Sequence, residues 1–170
     1  MSNEDTCEVE VASPASRLRR FVERLLSPRD SSLALLVVLY SLFSLAKLRG
    51  TLALERHAEL PAESFVLGGE GTSLSPAEVE IVCDALRLFC LGVADSEWIR
   101  RSVSLDVSGR FLPSPLRRAR ASAILEGLVA HAEGHAPQLS IEFARLALPL
   151  WARPSFRELE EALMNASFER

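Results

Sequence analysis

Residues 114–152 constrain the fold of this chain more than any other stretch. Ser114-Pro115 opens a helical pattern that carries Arg117-Arg118-Ala119-Arg120-Ala121-Ser122-Ala123-Ile124-Leu125. The pattern breaks at Gly134-His135-Ala136-Pro137, and a second apolar helix follows, ending at Leu148-Pro149-Leu150-Trp151. Glycine suits the end of one helix. Proline suits the start of the next, where its missing N–H would be unpaired anyway. The two segments read as a hairpin of helices that has to find cover for its apolar faces.

Other helix starts are marked in the same way. Ser13-Pro14, Ser27-Pro28 and Ser75-Pro76 each precede a helical pattern. A serine hydroxyl at the cap accepts a hydrogen bond from an orphan backbone N–H. Ser75-Pro76-Ala77-Glu78 and Ser155-Phe156-Arg157-Glu158 are capping boxes. The helices expected from apolar spacing cover residues 14–26, 30–48, 76–91, 95–103, 115–133, 137–151 and 156–166. In the first, Leu18, Phe21, Val22 and Leu25 share a face, with Arg17, Arg20 and Arg24 opposite. Residues 107–112 read as a loop. Residues 103–107 alternate, but too briefly to compete as a strand. The expected organisation is a disordered N-terminus over 1–12, then one helical domain over 13–170 with a flexible loop at about 50–74. The Gly- and Glu-rich part of that loop, residues 57–73, carries Gly68-Gly69-Glu70-Gly71.

Composition narrows the class. A chain of 170 residues that is 48% apolar can build one sizeable core. Its net charge of −4 argues against nucleic acid as a partner, because phosphate contacts need a basic surface. Lys47 is the only lysine, which a GC-rich coding sequence accounts for. Cys7, Cys83 and Cys90 are odd in number, and the last two fall on one apolar helix face. They read as free thiols in a reducing compartment. Residues 33–46 are uncharged and nearly all apolar, yet shorter than the ~20 residues a spanning helix needs. They read as a buried core helix. The polar residues 165–170 lead us to expect no C-terminal membrane anchor.

Catalytic signals are poor. His131 and His135 stand four apart, the spacing of two metal ligands on one helix face. Gly134 ends the helix between them, so a polar helix end is the better reading and no metal is expected. The glycine-rich loop lacks the Gly-Lys-Ser/Thr of a phosphate cradle. No cofactor and no catalytic residue is expected. Arg117, Arg118 and Arg120 crowd positive charge near a helix start, where the dipole is already positive. That placement calls for a carboxylate, from a partner or from this chain.

With these residues in view, the chain resembles proteins of the Bcl-2 family, the divergent viral homologues in particular. Leu36-Val37-Val38 with Tyr40, Ser41 and Ser44 resembles the family's first helix, and a long loop follows it. Cys90-Leu91-Gly92-Val93-Ala94-Asp95 resembles a BH3 motif in which Ala94 and Asp95 match and Cys90 replaces the leucine. Arg118-Ala119-Arg120 falls where BH1 has Trp-Gly-Arg, and only Arg120 matches. The BH2 position lacks Gly-Gly-Trp, with Phe156 standing for its aromatic residue.

The resemblance implies an all-α, Bcl-2-like bundle of about seven helices around a central apolar hairpin. It implies an inhibitor of apoptosis, not an enzyme, that sequesters host pro-apoptotic BH3 helices in a hydrophobic groove. Arg120 would pair with the partner's aspartate, and Val103, Phe111, Leu116 and Ala121 would supply apolar groove surface. The location implied is the host cytoplasm or the surface of the mitochondrial outer membrane. Two alternatives stay open: a Bcl-2-fold inhibitor of innate immune signalling that acts through another surface, and a helical protein with weak membrane association. Oligomeric state is left open.

Overall fold

The computed structural model describes residues 27–68, 74–93, 95–109 and 114–168. All regular structure among them is helical. The elements are α1 (Pro28–Arg49), a 3-10 turn (Thr51–Leu54), α2 (Glu55–Glu59), a 3-10 turn (Pro61–Glu63), α3 (Pro76–Cys90), α4 (Ser96–Gly109), α5 (Pro115–Ala132), α6 (Pro137–Ala147) and α7 (Phe156–Phe168). The expected helix over 14–26 and the N-terminal residues 1–12 lie outside the described residues.

The serine caps form as the spacing predicts. Ser75 Oγ accepts from Glu78 N, and Ser155 Oγ accepts from Glu158 N at 3.2 Å. Ser114 Oγ accepts from Arg117 N at 3.1 Å. Ser27 forms a box with Asp30, a shorter carboxylate than the usual partner at that position. Each box satisfies orphan N–H groups and fixes the residue at which a helix begins.

Helix α1 is the spine of the bundle. Its 22 residues are long and apolar enough to cross a membrane by length and composition alone, with a mean hydropathy of 1.8. One face is nonetheless sealed: Leu35, Leu36, Leu39, Leu42 and Phe43 have no solvent exposure. It packs on α5, α6 and α7. The most extensive helix pairing is the α5–α6 hairpin. There Gly127 lets the backbones close up, since a Cβ at that position would lie 3.1 Å from Ala144 Cβ. Gly134 ends α5 at φ +84°, a left-handed turn that glycine takes without strain. Leu128, Ile124, Ile81, Leu86 and Ile99 complete the core between α3, α4 and α5.

Three expectations need correction. The stretch 50–74, expected to be a flexible loop, is helical over 51–59 and 61–63, where Leu54 and Ala58 are buried against the core. Gly50 and Pro61 break the regularity and hid the apolar spacing. Helix α4 continues to Gly109, through residues 107–109 that were expected to be loop. Helix α6 stops at Ala147, well before residue 151, because Pro149 disfavours a helical residue before it.

Candidate functional site

The strongest polar feature sits where α1, α3 and α5 begin. Arg120, a turn and a half into α5, extends its guanidinium inward. Its Nε donates to Glu78 Oε1 at 2.8 Å and its Nη2 to Glu78 Oε2 at 3.3 Å. Its Nη1 donates to the Ser31 carbonyl at 3.0 Å and also to Ser31 Oγ. The two charged side chains are only 4% and 2% exposed. Glu78 has a second task, because Oε2 also accepts from Ser75 N at 2.7 Å and Ser75 Oγ at 2.8 Å. One carboxylate therefore closes the cap of α3 and neutralises the cation of α5. A buried guanidinium is tolerated only when paired and hydrogen-bonded in this way.

In this structure the partner of Arg120 comes from the chain itself. The guanidinium is not offered to solvent; the chain supplies its own carboxylate from a residue 42 positions away. Val103 and Ala121 are buried at 3% and 0% exposure, so they are core rather than groove surface. Leu116 is half-buried, and Phe111 lies outside the described residues. The BH3-like stretch does not form one helix. Cys90 is the last residue of α3, Gly92 turns at φ +82°, and Asp95 accepts from Glu97 N and Trp98 N as the cap of α4. Ala94 lies outside the described residues.

The histidines do other work. His131 stacks on Phe43 with ring centroids 4.4 Å apart and meets Phe89 edge-on at 5.7 Å. Burial, helped by the charge of Lys47, pushes its pKa down to about 4. Its Nδ1 is sealed and has no hydrogen-bond partner among the described residues. His135 lies past the left-handed turn at Gly134, beside Glu133 and Phe143, so the two histidines do not share a helix face. His57, expected in a loop, belongs to α2, and its Nδ1 lies 2.7 Å from Ser64 Oγ. Ser64 Oγ also accepts from Val66 N and Leu67 N, which commits it to the turn. Burial, with the nearby Arg56 charge, lowers the His57 pKa. A cavity of about 510 Å³ opens beside this pair, lined also by Arg49, Arg56, Leu45 and Phe65. Cys83 is a free buried thiol whose pKa burial raises to about 11, and Cys90 is free and half-buried. A thiol held protonated is a poor nucleophile.

Sequence reasoning missed the exposed apolar face of α6. Leu139, Phe143 and Leu146 fall at i, i+4 and i+7 and are 44%, 43% and 48% exposed. The signal was present, since that spacing makes one stripe, but a second stripe through Pro137, Ser140, Ile141 and Ala144 is the buried one. No family model matches this sequence, no curated protein matches it, and no solved structure matches its fold.

Proposed function

We propose that this chain is a Bcl-2-like bundle that catalyses no reaction and inhibits innate immune signalling in a host cell by binding a protein partner on its outer surface. The observation that carries this choice is the sealed Arg120–Glu78 pair. The resemblance assigns Arg120 to a captured helix's aspartate, and here its coordination is already filled from within. A captured helix would have to expel Glu78 and undo the cap of α3, leaving an unpaired carboxylate to be resolvated. The element order supports the Bcl-2-like part of the reading: an apolar first helix, an intervening stretch, an amphipathic α3, then a buried α5 paired with α6. The exposed stripe Leu139, Phe143 and Leu146 supports an outer docking face.

A second reading, sequestration of pro-apoptotic BH3 helices, is favoured by one point of chemistry. The group on Arg120 is a carboxylate, so a partner's aspartate would replace like with like.

Two measurements separate the readings. The first titrates a panel of BH3 peptides into the purified protein by calorimetry. The second follows suppression of an inflammation-responsive transcriptional reporter in cells by the parent chain and by Leu139→Glu/Phe143→Glu. The expected result is no peptide tighter than about 10 μM, with reporter suppression lost in the double variant. Submicromolar peptide binding that falls at least tenfold in Arg120→Ala would transfer the function to BH3 sequestration. A parent chain that leaves the reporter untouched would sink the signalling proposal.

A further inference from the structure

The chain turns back on itself after α1. Gly50 takes φ +84°, and its N–H donates to the Ala46 carbonyl at 2.8 Å. The 3-10 turn that follows packs against α1, and buried Leu54 and Ala58 pin it and α2 to the core. This return brings side chains from separate elements around the cavity of about 510 Å³: Leu45 and Arg49 of α1, Ala53 of the 3-10 turn, Arg56 and His57 of α2, and Phe65 beyond them. A cavity of that size falls within the ~300–1,000 Å³ of small-molecule sites.

Hydrogen bonding fixes what His57 offers the cavity. Ser64 Oγ accepts from Val66 N at 3.2 Å and from Leu67 N at 2.9 Å. A hydroxyl has two lone pairs, so both are taken. Its proton is left for His57 Nδ1, 2.7 Å away, which therefore accepts. The hydrogen of the neutral ring then sits on Nε2. Burial and the Arg56 charge lower the ring's pKa, so it stays neutral at pH 7. Nε2–H has no hydrogen-bond partner among the described residues, although His57 is only 6% exposed. It is not sealed either, since the one sealed and unpaired side-chain atom among the described residues is His131 Nδ1.

The charges around the cavity do not cancel. Arg56 reaches Glu63 at 3.7 Å with both side chains well exposed, and Arg49 has no ion-pair partner among the described residues. Two guanidinium groups against one carboxylate leave a single net positive charge. Arg49 also answers the negative end of the α1 dipole. That role explains one cation, but not a second one and an unpaired N–H on the same cavity. The remaining wall is apolar. Leu45 and Ala53 are half-buried, and Phe65 stands 71% exposed with its ring edge-on to His57 at 5.0 Å.

We propose that this cavity binds a small monocarboxylate with a flat apolar body. The carboxylate pairs with Arg49 and Arg56 and accepts from His57 Nε2, while the apolar body is covered by Leu45, Ala53 and Phe65. A monoanion matches the net charge, and the planar guanidinium fork matches a carboxylate. A phosphate dianion fits less well, because it would set a second negative charge against Glu63 and the apolar wall. The inference stands apart from the proposed function, which uses the exposed face of α6.

The test titrates 2-naphthoate into the full ¹⁵N-labelled chain and follows backbone amides by NMR. The expected result is movement of the Ala53, Arg56, His57 and Phe65 amides with a Kd below about 1 mM. Neutral 2-naphthamide and inorganic phosphate should each bind about tenfold more weakly. Arg49→Gln/Arg56→Gln should weaken 2-naphthoate about tenfold and Phe65→Ala about threefold. Lys47→Gln, which removes an exposed cation outside the lining, should change nothing. The substituted side chains are exposed, and unmoved Leu86 and Ile124 amides in each variant verify the fold. Equal binding of the acid and the amide overturns the proposal, as does an unchanged Kd in the arginine variant. Phosphate bound as tightly as 2-naphthoate reduces the cavity to a simple anion patch and overturns it. Shifts confined to Leu139, Phe143 and Leu146 reveal adsorption to α6 and overturn it, as does the absence of any shift.

Discussion

Replacing Arg120 by methionine tests the central claim, that the guanidinium is a structural cation rather than a reserve for a partner. Methionine fills a similar volume and removes the charge. It strips three donating nitrogens from Glu78 and Ser31. Glu78, 2% exposed, then holds an unneutralised carboxylate. Breaking one partner out of a buried pair costs about 3–5 kcal/mol. In a chain of 170 residues that corresponds to a fall of roughly 10 °C in Tm. Urea unfolding followed by circular dichroism at 222 nm reads the loss as a drop in midpoint at constant slope. The companion is the double variant Arg120→Met/Glu78→Met, which removes both charges. It should be more stable than Arg120→Met alone, because no unpaired charge remains. A coupling energy of about 2–3 kcal/mol is expected across the cycle. A loss below ~1 kcal/mol for Arg120→Met, with no coupling, would refute the reasoning. It would mean that the pair opens easily and that Arg120 is free for a captured helix.

Two further outcomes follow from the core. His131 is held neutral, with a pKa of about 4 against its ordinary 6.5. Protonation therefore favours the unfolded chain. Its contribution to stability is full above about pH 6.5 and is lost as pH falls through 4. The total is roughly 2–3 kcal/mol after allowing for the partial access of the ring. Carboxylates titrate over part of the same range, so the measure is the difference in urea midpoint between the parent and His131→Phe from pH 7 to 4; parallel curves would exclude the effect. Gly127→Val places branched carbon against Ala144, whose Cβ would lie 3.1 Å from the added Cβ. It should cost about 1–3 kcal/mol through overpacking. An unchanged thermal midpoint would show that the hairpin can spread without penalty.

Much of the helical skeleton was legible because its signals are local. The caps at Ser27, Ser75, Ser114 and Ser155 and the break at Gly134-His135-Ala136-Pro137 each declare a boundary within a few residues. The errors arose where the deciding contacts are remote. Leu54 and Ala58 are ordered by packing against α1 and α3, which short spacing does not announce. The Arg120 partner was the largest gap in the site. Three crowded arginines predicted a carboxylate somewhere, and Glu78 was visible as a capping residue. Nothing local joins the two across 42 positions. The split of the BH3-like stretch was legible in its parts, since Gly92 was an evident breaker and a helix was expected from residue 95, where Asp95 caps α4.

The pair is also asymmetric, and the asymmetry is measurable. Glu78 stands at the third position of α3, inside the first turn, where the positive end of the helix dipole favours a carboxylate. It also receives two hydrogen bonds from Ser75. Without Arg120, those supports remain. Arg120 lies beyond the first turn of α5 and caps no helix. Glu78→Met removes the charge partner of Arg120 and the side-chain half of the α3 capping box together. It should therefore destabilise the bundle more than Arg120→Met, by about 1 kcal/mol, the scale of a lost cap. Paired urea titrations at pH 7 decide it. The reverse order would mean that Arg120, not Glu78, is the better-solvated member, and that the cation can reach water without help. That in turn would reopen its use by an external aspartate, so the ranking of these two single variants bears on function as well as on stability.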